Sequence, residues 1–230
     1  MIFKQEFDTK SSTYTYIIAS AKGREAVIID PVIENTDDYI KILRELDLQL
    51  VKVIDTHIHA DHVTGASKLK EVTDCATLMG EHTPADTVEI KVKDGEVIEI
   101  DSLKIKSLYT PGHTSDSYSF LLNNHLFTGD TLLINGTGRT DFQNGSSQDA
   151  YDSLFNKLLK LPEKTLVYPA HDYNGEKNST IENEKNNNPR LQVSSKEEYV
   201  EIMNNLNLEN PKMLDVAVPS NLKGHTLDQI

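Results

Sequence analysis

The sequence predicts an α/β chain whose short apolar strands end in loops rich in metal-ligating side chains. Three observations carry that reading. The β-branched run Leu50-Val51-Lys52-Val53-Ile54-Asp55 reads as a buried strand. Directly after it, Thr56-His57-Ile58-His59-Ala60-Asp61-His62-Val63-Thr64-Gly65 sets three imidazoles and a carboxylate within six positions. Further along, Leu103–Tyr109 alternates as a half-buried strand would, and Tyr118–Leu122 followed by Asn123-Asn124 is a hairpin signature. Between these runs the spacing turns helical, over residues 37–48, 147–161 and 195–205. Tyr151, Leu154, Phe155, Leu158 and Leu161 form a core-facing stripe, and Ser195-x-x-Glu198 is a capping box. Residues 181–189, rich in Asn, Glu and Lys, read as a solvated helix and loop.

The composition fits one domain over residues 1–230, with 37% apolar residues to build a core. Lys and Arg number 23 against 36 Asp and Glu, a net charge of −13 that argues against nucleic acid as a partner. No apolar run approaches the length needed to span a bilayer. Met1-Ile2-Phe3-Lys4-Gln5 leads straight into strand-like sequence, without a signal or transit segment. Cys75 is the single cysteine and reads as a small buried side chain, so a reducing, cytoplasmic setting is expected. A mitochondrial matrix location would require a presequence already removed.

Imidazole nitrogen and carboxylate oxygen suit Zn, Fe or Mn, and no thiolate is offered to select a softer metal. Beyond His57, His59, Asp61 and His62, three more ligand-type residues follow strand-like runs. They are His113 in Thr110-Pro111-Gly112-His113, Asp130 in Phe127-Thr128-Gly129-Asp130, and His171 in Tyr168-Pro169-Ala170-His171. Gly or Pro beside each lets the loops turn and converge. His82, His125 and His225 lack such context. Thr128 and Asp172 flank ligands and are expected to fix loop geometry by hydrogen bonds.

The ordered set His57-x-His59-x-Asp61-His62, His113, Asp130 and His171 resembles the metallo-β-lactamase superfamily. That resemblance implies a four-layer αββα sandwich of two mixed sheets with metal at one edge. Finer markers resemble the persulfide dioxygenases: Ile29-Asp30-Pro31-Val32, Gly136-Thr137-Gly138-Arg139-Thr140-Asp141-Phe142-Gln143, Asn188-Pro189-Arg190-Leu191 and Ala217-Val218-Pro219-Ser220-Asn221. Thr137 departs from the pattern, since many members carry cysteine there.

The resemblance implies one Fe(II) per chain held by His57, His113 and Asp130, and oxidation of glutathione persulfide by O₂ and water to sulfite and glutathione. His59, Asp61, His62 and His171 would then orient ligands and move protons. The same residues could instead hold two Zn, Fe or Mn ions in a glutathione-thioester hydrolase of the glyoxalase II kind. Such hydrolases usually carry a longer helical domain after the last imidazole. In the glyoxalase II kind a basic residue and a tyrosine at the offsets of Arg139 and Tyr173 hold glutathione, so the resemblance makes these two residues candidates, Arg139 either as a carboxylate clamp or as a loop brace. The sequence allows a homodimer and does not fix oligomeric state.

Overall fold

Every residue of the strand Thr13–Ala19 is buried, which requires cover on both faces of its sheet. The computed structural model describes residues 1–211, 213–226 and 229. Ile230, the last residue of the expected domain, lies outside them. One six-stranded sheet runs in chain order through β1 (Ile2–Asp8), β2 (Thr13–Ala19), β3 (Glu25–Ile29), β4 (Gln49–Ile54), β5 (Ala76–Gly80) and β6 (Ile90–Val92). It begins antiparallel and is parallel from β3 onward. A second holds β7 (Val97–Ile100), β8 (Leu103–Tyr109), β9 (Tyr118–Leu122), β10 (His125–Gly129), β11 (Leu166–Pro169) and β12 (Ser179–Thr180) in adjacent order. Only the β10–β11 pair in it is parallel. The helices are α1 (Thr36–Glu45), α2 (Ala66–Thr73), α3 (Ser147–Tyr151), α4 (Ile181–Asn187), α5 (Lys196–Asn204) and α6 (Leu214–Lys223).

Alternation along the strands sorts the core into layers. Tyr14, Tyr16 and Ile18 of β2 point between the sheets and join Ile105, Phe120 and Phe127 of the second. Ile17 and Ala19 point the other way, against Tyr39 and Leu43 of α1 and Leu69 of α2. On the far side, Leu126 and Val167 pack against Leu154, Leu158, Tyr199 and Met203. Helix, sheet, sheet and helix therefore stack as the expected four-layer sandwich, a metallo-β-lactamase fold. No helix among the described residues is long and apolar enough to cross a membrane.

Some boundaries differ from the sequence expectation. The helix expected over 37–48 stops at Glu45 because Asp47 turns left-handed, φ 54°. The 147–161 helix forms but changes winding, from α3 through a π segment, Asp152–Lys157, to a 3₁₀ turn, Leu158–Lys160. Ser195 caps α5 by accepting from Glu198 N at 3.2 Å, while the Glu198 carboxylate accepts from Ser194 N instead of closing the box. Residues 181–189 are less solvated than expected. Glu184 and Asn188 are fully buried, with Glu184 accepting from Asn135 N at 2.9 Å and Asn188 Nδ2 at 2.8 Å.

Candidate metal centre

Four loops leaving β4, β8, β10 and β11 carry His57, His113, Asp130 and His171 to one edge of the sandwich. The two sheets are joined there by Tyr118 N donating to Thr56 O at 2.9 Å and Tyr14 N to Ala170 O at 2.7 Å. Close packing holds the edge. A Cβ on Gly138 would stand 2.1 Å from Asp130 O and 2.8 Å from His113 Nδ1, so only glycine fits.

His57, His113 and Asp130 offer ligand atoms that all lie within 4.8 Å of one another. Asp130 Oδ2 is 3.5 Å from His113 Nε2 and 4.0 Å from His57 Nε2. Hydrogen bonds select those nitrogens. His113 Nδ1 donates to Arg139 O at 2.7 Å, which leaves Nε2 facing the centre. Thr56 Oγ1 donates to Asp30 Oδ2 at 3.1 Å, so it accepts from His57 Nδ1 at 2.9 Å and again frees Nε2. Burial first, then His59 and His113, hold His57 well below the ordinary imidazole range, the neutral form a metal needs. Burial works against the Asp130 charge, but His171, His113 and His57 overcome it and keep the carboxyl below its usual range.

His59, Asp61 and His62 form a second such group within 4.8 Å. His59 pairs Nε2 with Asp30 Oδ1 at 3.1 Å, and His62 pairs Nδ1 with Asp61 Oδ2 at 2.9 Å. Their other ring nitrogens, His59 Nδ1 and His62 Nε2, are buried without a hydrogen-bond partner. Buried polar atoms are rarely left so, and nitrogens of two neighbouring imidazoles in this state fit a cation. Burial opposes a charge on His59, yet Asp30 outweighs it and lifts the imidazole to about 9, so a metal at Nδ1 would displace a proton.

His171 differs. Both its nitrogens are engaged, Nδ1 with Asp130 Oδ1 and Nε2 with Asp61 Oδ2, each at 2.7 Å. Burial disfavours its charge, but Asp130 and Asp61 raise it well above the ordinary range. Thr128 and Asp172 fix the loops as expected: Thr128 Oγ1 donates to Leu132 O at 2.6 Å, and Asp172 Oδ2 accepts from Asn174 N and Glu176 N at 2.9 and 2.8 Å. Thr137, the departure from the family pattern, is buried against Tyr199 and Met203.

A cleft of ≈ 510 Å³ opens from Asp61, His113, Asp130 and His171 past Leu133, Ile134, Phe142, Arg139, Tyr173, Arg190 and Leu208. Arg139 lines it as a brace. Its Nε and Nη2 grip Asp141 at 2.7 and 2.8 Å, and Nη1 donates to Glu209 O at 2.6 Å. The guanidinium also lies 4.4 Å over the Phe142 ring. Arg190 donates to the Thr137 carbonyl and has no carboxylate partner among the described residues. Tyr173 is 72% exposed and parallel to the His171 ring, with centroids 6.2 Å apart.

Asp30 is the residue sequence reasoning missed. It was visible only as a family marker. It accepts from Thr56 N at 2.8 Å as well as from Thr56 Oγ1 and His59 Nε2. One buried carboxylate thereby sets the ring orientation of two centre imidazoles.

The four-layer fold and its edge cluster of imidazoles and carboxylates define a metal-binding member of the metallo-β-lactamase superfamily, whose model matches residues 8–86 and 78–171. The mitochondrial persulfide dioxygenase ETHE1 of Bos taurus is 41% identical over 97% of this chain and 88% of its own length. The crystal structure of ETHE1 from Myxococcus xanthus superposes with a TM-score of 0.95 at 48% identity, covering 98% of this chain and all of that one. A hydroxyacylglutathione hydrolase of Dictyostelium discoideum is less similar, 35% identical over 76% of this chain and 68% of its own. The chain belongs to the persulfide dioxygenases, an oxidoreductase family, and the thioester-hydrolase alternative is not favoured.

Proposed function

We propose that this chain oxidises glutathione persulfide with O₂ and water to sulfite and glutathione, using one Fe(II) held by His57, His113 and Asp130. The likeness to persulfide dioxygenases over nearly the whole chain supports the reaction. The more distant likeness to a thioester hydrolase supports one metal over two.

An iron held by His57, His113 and Asp130 would supply the redox chemistry that joins O₂ to a persulfide sulfur. The chain's residues do the rest. Asp130 brings one negative charge to the centre, and its other oxygen fixes His171. His171, between Asp61 and Asp130, holds a proton at the cleft floor and can pass it to a departing glutathione thiolate. Leu133, Ile134, Phe142 and Leu208 line the cleft with apolar surface that limits water around the reacting sulfur.

Glutathione brings carboxylates remote from that sulfur, and the cleft supplies cations for them. Asp141 already neutralises Arg139, whereas Arg190 has no such counter-ion among the described residues. Arg190 is therefore the carboxylate clamp in this reading. Arg139 shapes the wall beside it, and the exposed Tyr173 supplies a hydroxyl at the rim. Hydrogen bonds to charged groups contribute roughly 1.5 to 3 kcal/mol. Arg190→Lys, which keeps charge and loses the fork, should lower kcat/KM for glutathione persulfide about ten-fold, mainly through KM. Iron content should not change, nor should turnover of a small alkyl persulfide. An equal fall on both persulfides would refute the clamp.

A further inference from the structure

The C-terminal marker Ala217-Val218-Pro219-Ser220-Asn221 lies outside the lining of the cleft, yet it reaches the backbone of the metal loop. Asn221 Nδ2 donates to His59 O at 2.9 Å and to His62 O at 3.0 Å. Its Oδ1 accepts from Thr64 N at 2.9 Å. The carboxamide is buried, 6% exposed, and both donor hydrogens and the acceptor are in use. We propose that Asn221 is a positioning residue for the metal centre: from the last helix it fixes the backbone from His59 to Thr64 and so aims the imidazoles of His59 and His62.

The helix around it grips the same loop on two sides. Ala217 packs with Ile33 and Val63, while Val218 and Leu222 pack against the cluster of Ile58, Met79 and Ala85. Ile58 and Val63 lie inside the ligand motif, so α6 backs both of its ends. The bonds pass the fix to the side chains. Within the ligand motif, His59 and His62 each have a ring nitrogen buried without a partner, and their carbonyls are the two that Asn221 holds. Aspartate has nearly the same shape but no donors, and would set a carboxylate against two carbonyl oxygens. Packing alone cannot explain the choice of residue.

This inference rests on the loop being a metal centre and does not depend on the persulfide reaction. Its test is the Fe(II) affinity of the metal-free full chain, by anaerobic competition with a chelator, alongside the melting temperature without metal. Asn221→Asp and Asn221→Ala should each weaken Fe(II) binding about 10 to 100-fold, the usual cost of losing a group that orients ligands. Leu222→Ala, which loosens the same helix without touching the amide, should lower the melting temperature and leave Fe(II) affinity unchanged. Wild-type affinity in either Asn221 variant, whatever its melting temperature, would overturn the proposal. So would an equal loss of affinity in Leu222→Ala. A wild-type chain that bound no Fe(II) would sink the proposed function as well, whereas unaffected Asn221 variants would sink this inference alone.

Discussion

Asp130→Ala should abolish metal loading and turnover together, and should destabilise the metal-free fold as well. Asp130 is the only carboxylate in the group it forms with His57 and His113, and its Oδ2 lies nearest their Nε2 atoms. Its Oδ1 meets His171 Nδ1 at 2.7 Å in a site where His171 is 2% exposed. Removing one partner of a buried ion pair costs about 3–5 kcal/mol, because the other is left uncompensated. Asp61 still faces His171 from the other side, so the lower end of that range is expected. Metal analysis and a thermal melt of metal-free protein check the two halves separately. His59→Ala gives the contrast, keeping its iron at saturating Fe(II) while losing affinity and rate by the roughly 10 to 100-fold of a ligand-orienting group. If it sheds metal as completely as His57→Ala, both imidazoles ligate and the three-residue assignment fails.

Asp30→Asn is the second large effect, about 10 to 100-fold in metal affinity or kcat. The carboxylate accepts from Thr56 N, Thr56 Oγ1 and His59 Nε2 at 2.8, 3.1 and 3.1 Å. An amide must turn its NH₂ toward at least one of these donors. If Oδ1 keeps His59 and Thr56 N, Thr56 Oγ1 loses its acceptor and ceases to fix the His57 tautomer. If the amide flips, His59 Nε2 and Thr56 N lose their acceptor instead. Asn tolerates the left-handed backbone that Asp30 adopts, φ 51°, so the substitution isolates the hydrogen bonding from strain. An anaerobic Fe(II) titration with steady-state kinetics reads the outcome. Wild-type affinity and rate in Asp30→Asn would remove the orientation argument.

What the sequence made legible was local. His57 to His62 follow β4 directly, the Asn123 turn joins strands that pair Phe120 with Phe127, and Ser195 caps its own helix. Each depends on residues a few positions apart, so periodicity and turn chemistry suffice to read it. The four-layer arrangement came through family resemblance, because no strand spacing states which sheet a strand joins. Asp30 and Asn221 were opaque for a related reason. Asp30 reaches Thr56 only because β3 pairs in parallel with β4, Ile29 beside Ile54. Asn221 reaches the loop only once α6 has docked. Glu184 looked like one more solvated charge in an Asn-rich stretch, and only the Asn135 and Asn188 donors show why it is inside. Arg139 was open between clamp and brace, since its guanidinium could be assigned only after Asp141 and the Glu209 carbonyl were found against it.

In the proposed reaction a single iron at this edge joins a persulfide sulfur to O₂. The most direct measurement is the ratio of O₂ consumed to sulfite released when anaerobically purified, Fe(II)-loaded protein meets glutathione persulfide. About one O₂ per sulfite is expected, with about one iron per chain in the active preparation. Sulfite formation that needs no O₂, or no O₂ uptake at all from protein that carries two zinc ions and hydrolyses a glutathione thioester, would contradict it.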